Sequence, residues 1–203
     1  MKNPILVGVR EHYDRLIDEN NDPARDPEPL KAYMDKWDGG AFLDAMELDR
    51  EKTVLEIGVG TGRLACKTAP FCKEFFGIDL SPRTVERAEE NLSRFQNVTL
   101  ICDDFMGFAF HTAFDVVYTS LTFMHIREKR ECISKIYALL KPKGRLVLSI
   151  DKNQSGYLDF SDRRVKLYPD RPEETKRFLL DSGFGITDRF ETEFAYVFVG
   201  EKA

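Results

Sequence analysis

Residues 54–64, VLEIGVGTGRL, constrain the fold more than any other part of the chain. An apolar run of Val54, Leu55 and Ile57 leads into Gly58, Gly60 and Gly62, and a helical pattern opens at Arg63. Strand, tight glycine turn and helix start, in that order, present backbone N–H groups to a ligand in α/β proteins. Glu56 is the unusual member of this run. A carboxylate beside the turn would repel a phosphate in a half-desolvated cleft. The turn therefore suits a ligand that carries a cation or an amine.

The alternation continues down the chain. Strands are expected at Thr53–Ile57, 74–78, Val98–Cys102, Phe114–Thr119 and 145–150. They are mostly continuous apolar runs, as in a parallel sheet covered on both faces. One intervening helix opens with Ser81 as N-cap and Pro82 in the first turn, and sets Val85, Ala88, Leu92 and Phe95 on one side. Another covers about 128–140 and is closed by Pro142-Lys143-Gly144. After a polar loop over about 152–171 comes a helix at 172–182, then strands at 186–192 and 194–200. These two are too close for a helical crossover and must pair antiparallel. The last is apolar on both faces and belongs inside the sheet, whereas the first is polar enough for an edge. The fold class is α/β: a doubly wound, mostly parallel seven-stranded sheet ending in an antiparallel hairpin.

Residues 1–50 are expected to form a helical cap segment, and 51–203 the ligand-binding domain. The Asp- and Pro-rich stretch at 21–29 is an irregular connection, and 30–48 fits two short helices across Gly39-Gly40. With 42% hydrophobic and 32% charged residues the chain is of the globular class. A net charge of −5 gives no reason to expect nucleic acid as a partner. The clusters Arg163, Arg164, Lys166 and Arg127, Lys129, Arg130 read as solvated faces. Cys66, Cys72, Cys102 and Cys132 show no metal spacing, so no metal is expected, and they read as reduced, small core residues. No run is long enough for a signal peptide or a membrane span, so a cytoplasmic location and no membrane partner are expected. Oligomeric state is left open.

Further polar residues fall where the fold places a ligand, at the carboxyl ends of the strands. Asp79 ends the second strand of the core (FFGIDL) and can accept from two ribose hydroxyls. Asp103 and Asp104 end the third (LICDDF): one can accept from an exocyclic amine, and Phe105 can pack a flat ring. The fourth strand delivers Thr119 and Ser120 to the same rim. His125, in SLTFMHI, is either a catalytic base or packing at a helix start.

This combination resembles the class I S-adenosylmethionine-dependent methyltransferases over about residues 53–200, through LEIGVGTGRL, GIDLS, CDDF and LKPKGRLVLSI. The resemblance implies a Rossmann-like methyltransferase fold with S-adenosyl-L-methionine as cofactor. It implies that Gly58, Gly60, Thr61 and Gly62 form the loop against the methionine moiety. Glu56 would meet the amino group, Asp79 the ribose and Asp103 the adenine N6, with Leu80 and Phe105 flanking the ring. Thr119 would border the methionine end through its backbone. Helices before the first core strand would close over the cofactor, bringing Tyr13, Tyr33 and Trp37. A nicotinamide-binding fold is disfavoured, because its G-x-G-x-x-G spacing is broken at Arg63. Aminopropyl transfer from a decarboxylated cofactor and a non-catalytic regulator stay open as alternatives. Thr119-Ser120-Leu121-Thr122 replaces the Asn/Asp-Pro-Pro-aromatic motif of enzymes acting on planar amide-like acceptors. A small-molecule acceptor is expected.

Overall fold

The computed structural model describes residues 4–160 and 162–203. In chain order its elements are β1 (Ile5–Val7), α1 (Val9–Asp18), α2 (Glu28–Met34), α3 (Gly39–Asp44), β2 (Thr53–Ile57) and α4 (Ala65–Thr68). There follow β3 (Glu74–Asp79), α5 (Pro82–Leu92), β4 (Val98–Cys102), β5 (Phe114–Thr119), α6 (Lys129–Leu139) and β6 (Leu140–Asp151). The chain closes with β7 (Tyr157–Asp159), β8 (Arg163–Lys166), α7 (Pro172–Asp181), β9 (Phe184–Glu191) and β10 (Ala195–Lys202). Single 3₁₀ turns lie at Ala69–Phe71 and Phe123–His125.

Seven strands form the main sheet in the order β4-β3-β2-β5-β6-β10-β9. The pairs from β4 to β6 are parallel, and β10 runs antiparallel to both β6 and β9. The sheet is therefore the doubly wound, mostly parallel one expected, with β10 buried inside it and the more polar β9 at the edge. Winding reverses between β2 and β5, so the loops after these strands diverge and leave a crevice at their carboxyl ends.

Alternation along β2 and β5 builds a core on each side of the sheet. Leu55, Ile57 and Val117 pack with Ile133, Ile136 and Leu148 under α6. Val54, Val116 and Tyr118 pack on the other face with Phe75, Ala88 and Leu92. Phe42 and Met46 from the N-terminal segment are fully buried in that second core, so α3 is part of it. Ser81 caps α5 as expected, its hydroxyl accepting from Thr84 N at 3.1 Å.

The polar stretch after β6 is not a plain loop. It carries β7 and β8, and β8 pairs in parallel with β1 from the start of the chain to make a three-stranded sheet. This strand pairing also corrects the basic clusters. Side chains alternate across a strand, so Arg164 and Lys166 face outward while Arg163 and Val165 face in. Arg163 is 1% exposed. Lys129 is buried as well, donating to Phe123 O at 2.9 Å and paired with Asp170. Of the cysteines, Cys72 and Cys132 are buried and Cys66 is half-buried, but Cys102 is exposed at the end of β4 rather than in the core.

Gly77 on β3 has a packing reason for its missing side chain. A Cβ there would sit 2.8 Å from Val59 Cγ2 and 2.9 Å from Leu100 Cδ2. Gly77→Ala is expected to destabilise the protein by about 1–3 kcal/mol through overpacking. It should also displace Val59 and so the glycine turn, which urea unfolding and ligand titration would register together.

Candidate active site

The turn after β2 holds Gly58, Gly60 and Gly62 at φ of +76°, +55° and +90°. Such values favour glycine because a Cβ is strained there. Gly58 N and Val59 N both donate to Ile78 O, at 2.8 and 3.1 Å, which clamps the turn to the end of β3. Asp79 completes the clamp: its Oδ2 accepts from Gly60 N and its Oδ1 from Ser81 N, each at 3.0 Å. Each glycine faces something different. A Cβ on Gly58 would strike Thr122, one on Gly62 would press on Leu92 at 3.1 Å, and one on Gly60 would meet nothing within 4 Å.

A cavity of about 1320 Å³ lies over the carboxyl ends of β2 to β5. Glu56, Gly58, Gly60, Thr61, Asp79, Leu80, Asp103, Asp104 and Phe105 all line it, as do His125, Tyr13, Tyr33 and Trp37. Gly62 and Thr119 stand behind the lining. The Thr119 hydroxyl instead donates to Ile57 O at 2.9 Å and ties β5 to β2. Asp103 and Asp104 are exposed: the first caps Asp104 N at 2.7 Å, and the second accepts from Met106 N at 3.0 Å.

Glu56 is 3% exposed at the heart of the sheet. Its Oε2 accepts from the Tyr118 phenol at 2.8 Å, which in turn meets the Thr68 hydroxyl at 2.8 Å. Burial pushes the Glu56 carboxyl up to about 8, against the smaller opposing effects of Tyr118 and Arg63. Arg63 is engaged elsewhere. It meets both oxygens of the buried Asp38, and Asp35 at 3.2 Å. Asp38 also accepts from the Ser120 hydroxyl at 2.8 Å and from Gly39 N. Sequence reasoning missed this Arg63–Asp38–Ser120 knot. The only signal was the position of Arg63 directly after the last glycine.

Two segments roof the cavity. From the N-terminal side, Tyr13 on α1 bonds to His125 Nε2 at 2.9 Å, and Trp37 Nε1 donates to Asp151 at 3.1 Å. Ala24 N donates to the Thr61 hydroxyl at 3.3 Å, close above the glycine turn. From the stretch after β6 come Leu158, Phe160 and Tyr168, which no local sequence signal assigns to a site. Burial holds His125 down to about 4 and Tyr13 above its ordinary value.

The comparisons with known proteins agree with this geometry. Residues 54–144 match the family model described as a methyltransferase domain. An uncharacterised methyltransferase of Bacillus licheniformis is 30% identical over 218 aligned positions, covering 98% of this chain and 97% of that protein. The chain belongs to the class I S-adenosylmethionine-dependent methyltransferases. Malonyl-[acyl-carrier protein] O-methyltransferase 1 of Ilyobacter polytropus is 26% identical over 69% of this chain, which spans only 53% of that relative. The solved magnesium protoporphyrin IX methyltransferase of Synechocystis PCC 6803, with S-adenosylmethionine bound, shares the fold at a TM-score of 0.74 and 18% identity. That superposition covers 96% of this chain and 95% of the other.

The cofactor of this methyltransferase family is S-adenosylmethionine, and the residues present fit it. Gly60 has open space where a side chain would stand. Glu56 is a buried carboxylate whose hydrogen bond comes from a neutral phenol rather than a cation, so a ligand ammonium is its natural complement. Among the described residues no group of His, Cys, Asp or Glu could hold a metal ion.

The raised Glu56 gives a test with a definite sign. The unfolded chain loses this proton near pH 4.5 and the folded chain near about 8. Its stabilising contribution is therefore complete below pH 4.5 and is lost as pH rises through about 8. Without cofactor, Glu56→Gln is expected to melt above the wild type at about pH 9 and level with it near pH 5. Thermal scans at the two pH values decide, and a variant that melts lower at pH 9 would show that a protein cation compensates the carboxylate.

Proposed function

We propose that this methyltransferase transfers a methyl group from S-adenosylmethionine to a small-molecule acceptor by in-line displacement. The observation that carries the reading is the size of the cavity. At about 1320 Å³ it exceeds the roughly 300–1,000 Å³ of single-ligand sites, and the roof bounds it from both sides. There is room for a cofactor and a second small molecule together. The names of the Ilyobacter and Synechocystis proteins, which specify acyl-carrier and porphyrin acceptors, support an acceptor other than nucleic acid.

In this proposal Glu56 receives the cofactor ammonium and gives up its proton as it does so. Gly58, Gly60 and Thr61 let the backbone approach the methionine chain. Asp79 faces the ribose, Asp103 the adenine N6, and Leu80 and Phe105 flank the ring, while Asp104 shapes the turn beneath. Gly62 and Thr119 act from behind, holding α5 and β5 in place. When bound, the cofactor supplies a methyl group already activated on a sulfonium. What remains for the protein is to align the acceptor and keep water out. Residues 1–50 act as the cap of the 51–203 domain, with Tyr13, Tyr33 and Trp37 over the ligand. His125 is neutral at pH 7 and available as a base only for an acceptor that must lose a proton. A cytoplasmic location is part of the same proposal, consistent with four free cysteines and, among the described residues, no helix able to cross a membrane.

Calorimetry is expected to show micromolar binding of S-adenosylmethionine and S-adenosylhomocysteine and none of NAD; tight binding of NAD alone would overturn the reading. Asp79→Ala should weaken cofactor binding by roughly tenfold to a hundredfold, the worth of a charged acceptor of about 1.5–3 kcal/mol. It should also lower Tm, because Gly60 N and Ser81 N lose their acceptor. An unchanged affinity would move the ribose site elsewhere.

Trp37 is the only tryptophan, so its emission follows the cap. Saturating cofactor is expected to shift or quench it, and a silent Trp37 would remove the cap from the binding event.

A further inference from the structure

Residues from Val9 to Trp37 form one wall of the cavity, yet between Gly8 and Trp37 only His12 and Asp22 are buried, and both are polar. The ends of this strap are held firmly. At the front, β1 pairs with β8, and His12 accepts from Arg163 Nε at 3.0 Å. At the back, Phe42 of α3 and Met46 just beyond it are fully buried in the core. Between these anchors no apolar residue is buried, so the middle of the strap is held down largely by polar contacts. A region with so little buried apolar surface is among the first to open.

Those contacts follow a helical period. Asp14, Asp18 and Asp22 recur every four residues, and so do Arg83, Arg87 and Asn91 along one face of α5. Asp14 Oδ1 accepts from Ser81 Oγ at 2.7 Å and from Arg83 N at 3.3 Å. Asp18 pairs with the Arg83 guanidinium. Asp22 accepts from Arg87 Nη1 at 3.2 Å and from Asn91 Nδ2 at 3.1 Å. Arg25 adds a last rung, donating to Asn91 Oδ1 and to Glu90. Asn91 is the rung that reaches the site, because its amide also donates to Thr61 O of the glycine turn at 2.9 Å. With both donors and its carbonyl engaged, Asn91 has every polar group in use. Asn21, Pro23 and Asp26 of the strap line the cavity alongside Thr61.

We propose that Asn91 is a positioning residue that joins this strap to the glycine turn, and that the ladder along α5 governs how fast the cofactor is exchanged. The inference rests on the cap reading proposed above and adds what fastens the cap. Lifting the strap from α5 takes Asn21, Pro23 and Asp26 out of the wall beside Thr61. It also strips Asn91 of Asp22 and Arg25, so Thr61 O is left with an amide that is free to turn. The rungs are suited to opening and closing. Arg83 and Asp18 are each about half exposed, as are Arg25 and Glu90. Exposed pairs are individually weak, and salt shortens their reach from roughly 30 Å at 0.01 M to about 3 Å at 1 M. A buried pair such as Arg63–Asp38 is screened much less. Ionic strength therefore loosens the middle of the strap and leaves its anchors in place.

The test uses the full chain loaded with tritiated S-adenosylhomocysteine and chased with the unlabelled compound. This ligand carries no net charge at pH 7, so salt acts on its release chiefly through the protein's own pairs. Release from the wild type is expected to quicken about threefold or more between about 0.05 M and 1 M KCl. Arg83→Gln, at a half-exposed rung, should release faster at low salt and lose most of that salt dependence. Arg189→Gln, at an exposed pair between β9 and α7, should behave as the wild type. Asn91→Asp keeps the shape and the acceptor for Arg25 but sets a carboxylate against Asp22 and Thr61 O, and should release about tenfold faster. Combining it with Asp22→Asn restores a donor facing an acceptor across the ladder and should recover part of the loss, which a residue that only packs α5 would not. Wild-type release indifferent to salt, full salt dependence in Arg83→Gln, unchanged release in Asn91→Asp, or a double variant no slower than Asn91→Asp would each overturn the proposal. Any of these with S-adenosylhomocysteine bound removes the latch alone. The cap reading fails on a different readout, a Trp37 silent at saturating ligand, and failure of the wild type to bind overturns both.

Discussion

Three residues with positive φ within five positions is a requirement that essentially only glycine meets without strain, and the rest of the site depends on its being met between β2 and α4. Gly58, Gly60 and Gly62 turn the chain so tightly that two successive N–H groups reach one carbonyl of β3, and a third reaches Asp79. The turn is thereby fastened to the neighbouring strand rather than left to hang over the crevice. The three glycines are not interchangeable. One makes room for Thr122, one leaves a vacancy on the ligand side, and one lets α5 come close through Leu92.

Around this turn the chain arranges its charges in pairs and keeps one apart. Asp38 is matched by Arg63, Asp170 by Lys129, and Arg163 by Glu19. Glu56 alone, among these buried ionisable groups, is answered by a phenol. Burying a carboxylate without a cation is unfavourable in the empty protein. It becomes useful when the ligand brings the missing charge, because a partner already surrounded by low-dielectric walls is attracted strongly. The Arg63–Asp38 pair has a different role, joining the glycine turn to the N-terminal segment so that roof and floor share one anchor.

The central strands were legible in the sequence because parallel strands covered on both faces must be apolar throughout. Thr53–Ile57, Val98–Cys102 and Phe114–Thr119 fall where the apolar runs lie, and the closing hairpin follows from spacing alone. The acidic residues of the rim were legible for the same reason, since they end those runs. What escaped is what depends on a distant partner. Strands β7 and β8 have three and four residues, largely polar, and nothing local marks them, because their third strand lies at the opposite end of the chain. Arg163 looks like one more surface cation until Glu19 and His12 are set against it. Asp79 was visible as a rim acid, but not as the acceptor that holds the turn closed.

The pairing of β1 with β8 also bears on how the molecule assembles. Paired residues of the main sheet lie at most 62 positions apart, as Val54 and Val116 do, whereas His12 and Arg163 are 151 residues apart. Closing so long a loop has an entropic cost that favours its formation after the local contacts. The pairing of β1 with β8 is thus among the later contacts to form, and the part of the cavity wall that follows β6 is complete only after it. A truncated or stalled chain would hold the glycine turn and the rim acids without the enclosure. The architecture in this way makes a long-range strand pairing a condition for a complete cavity wall.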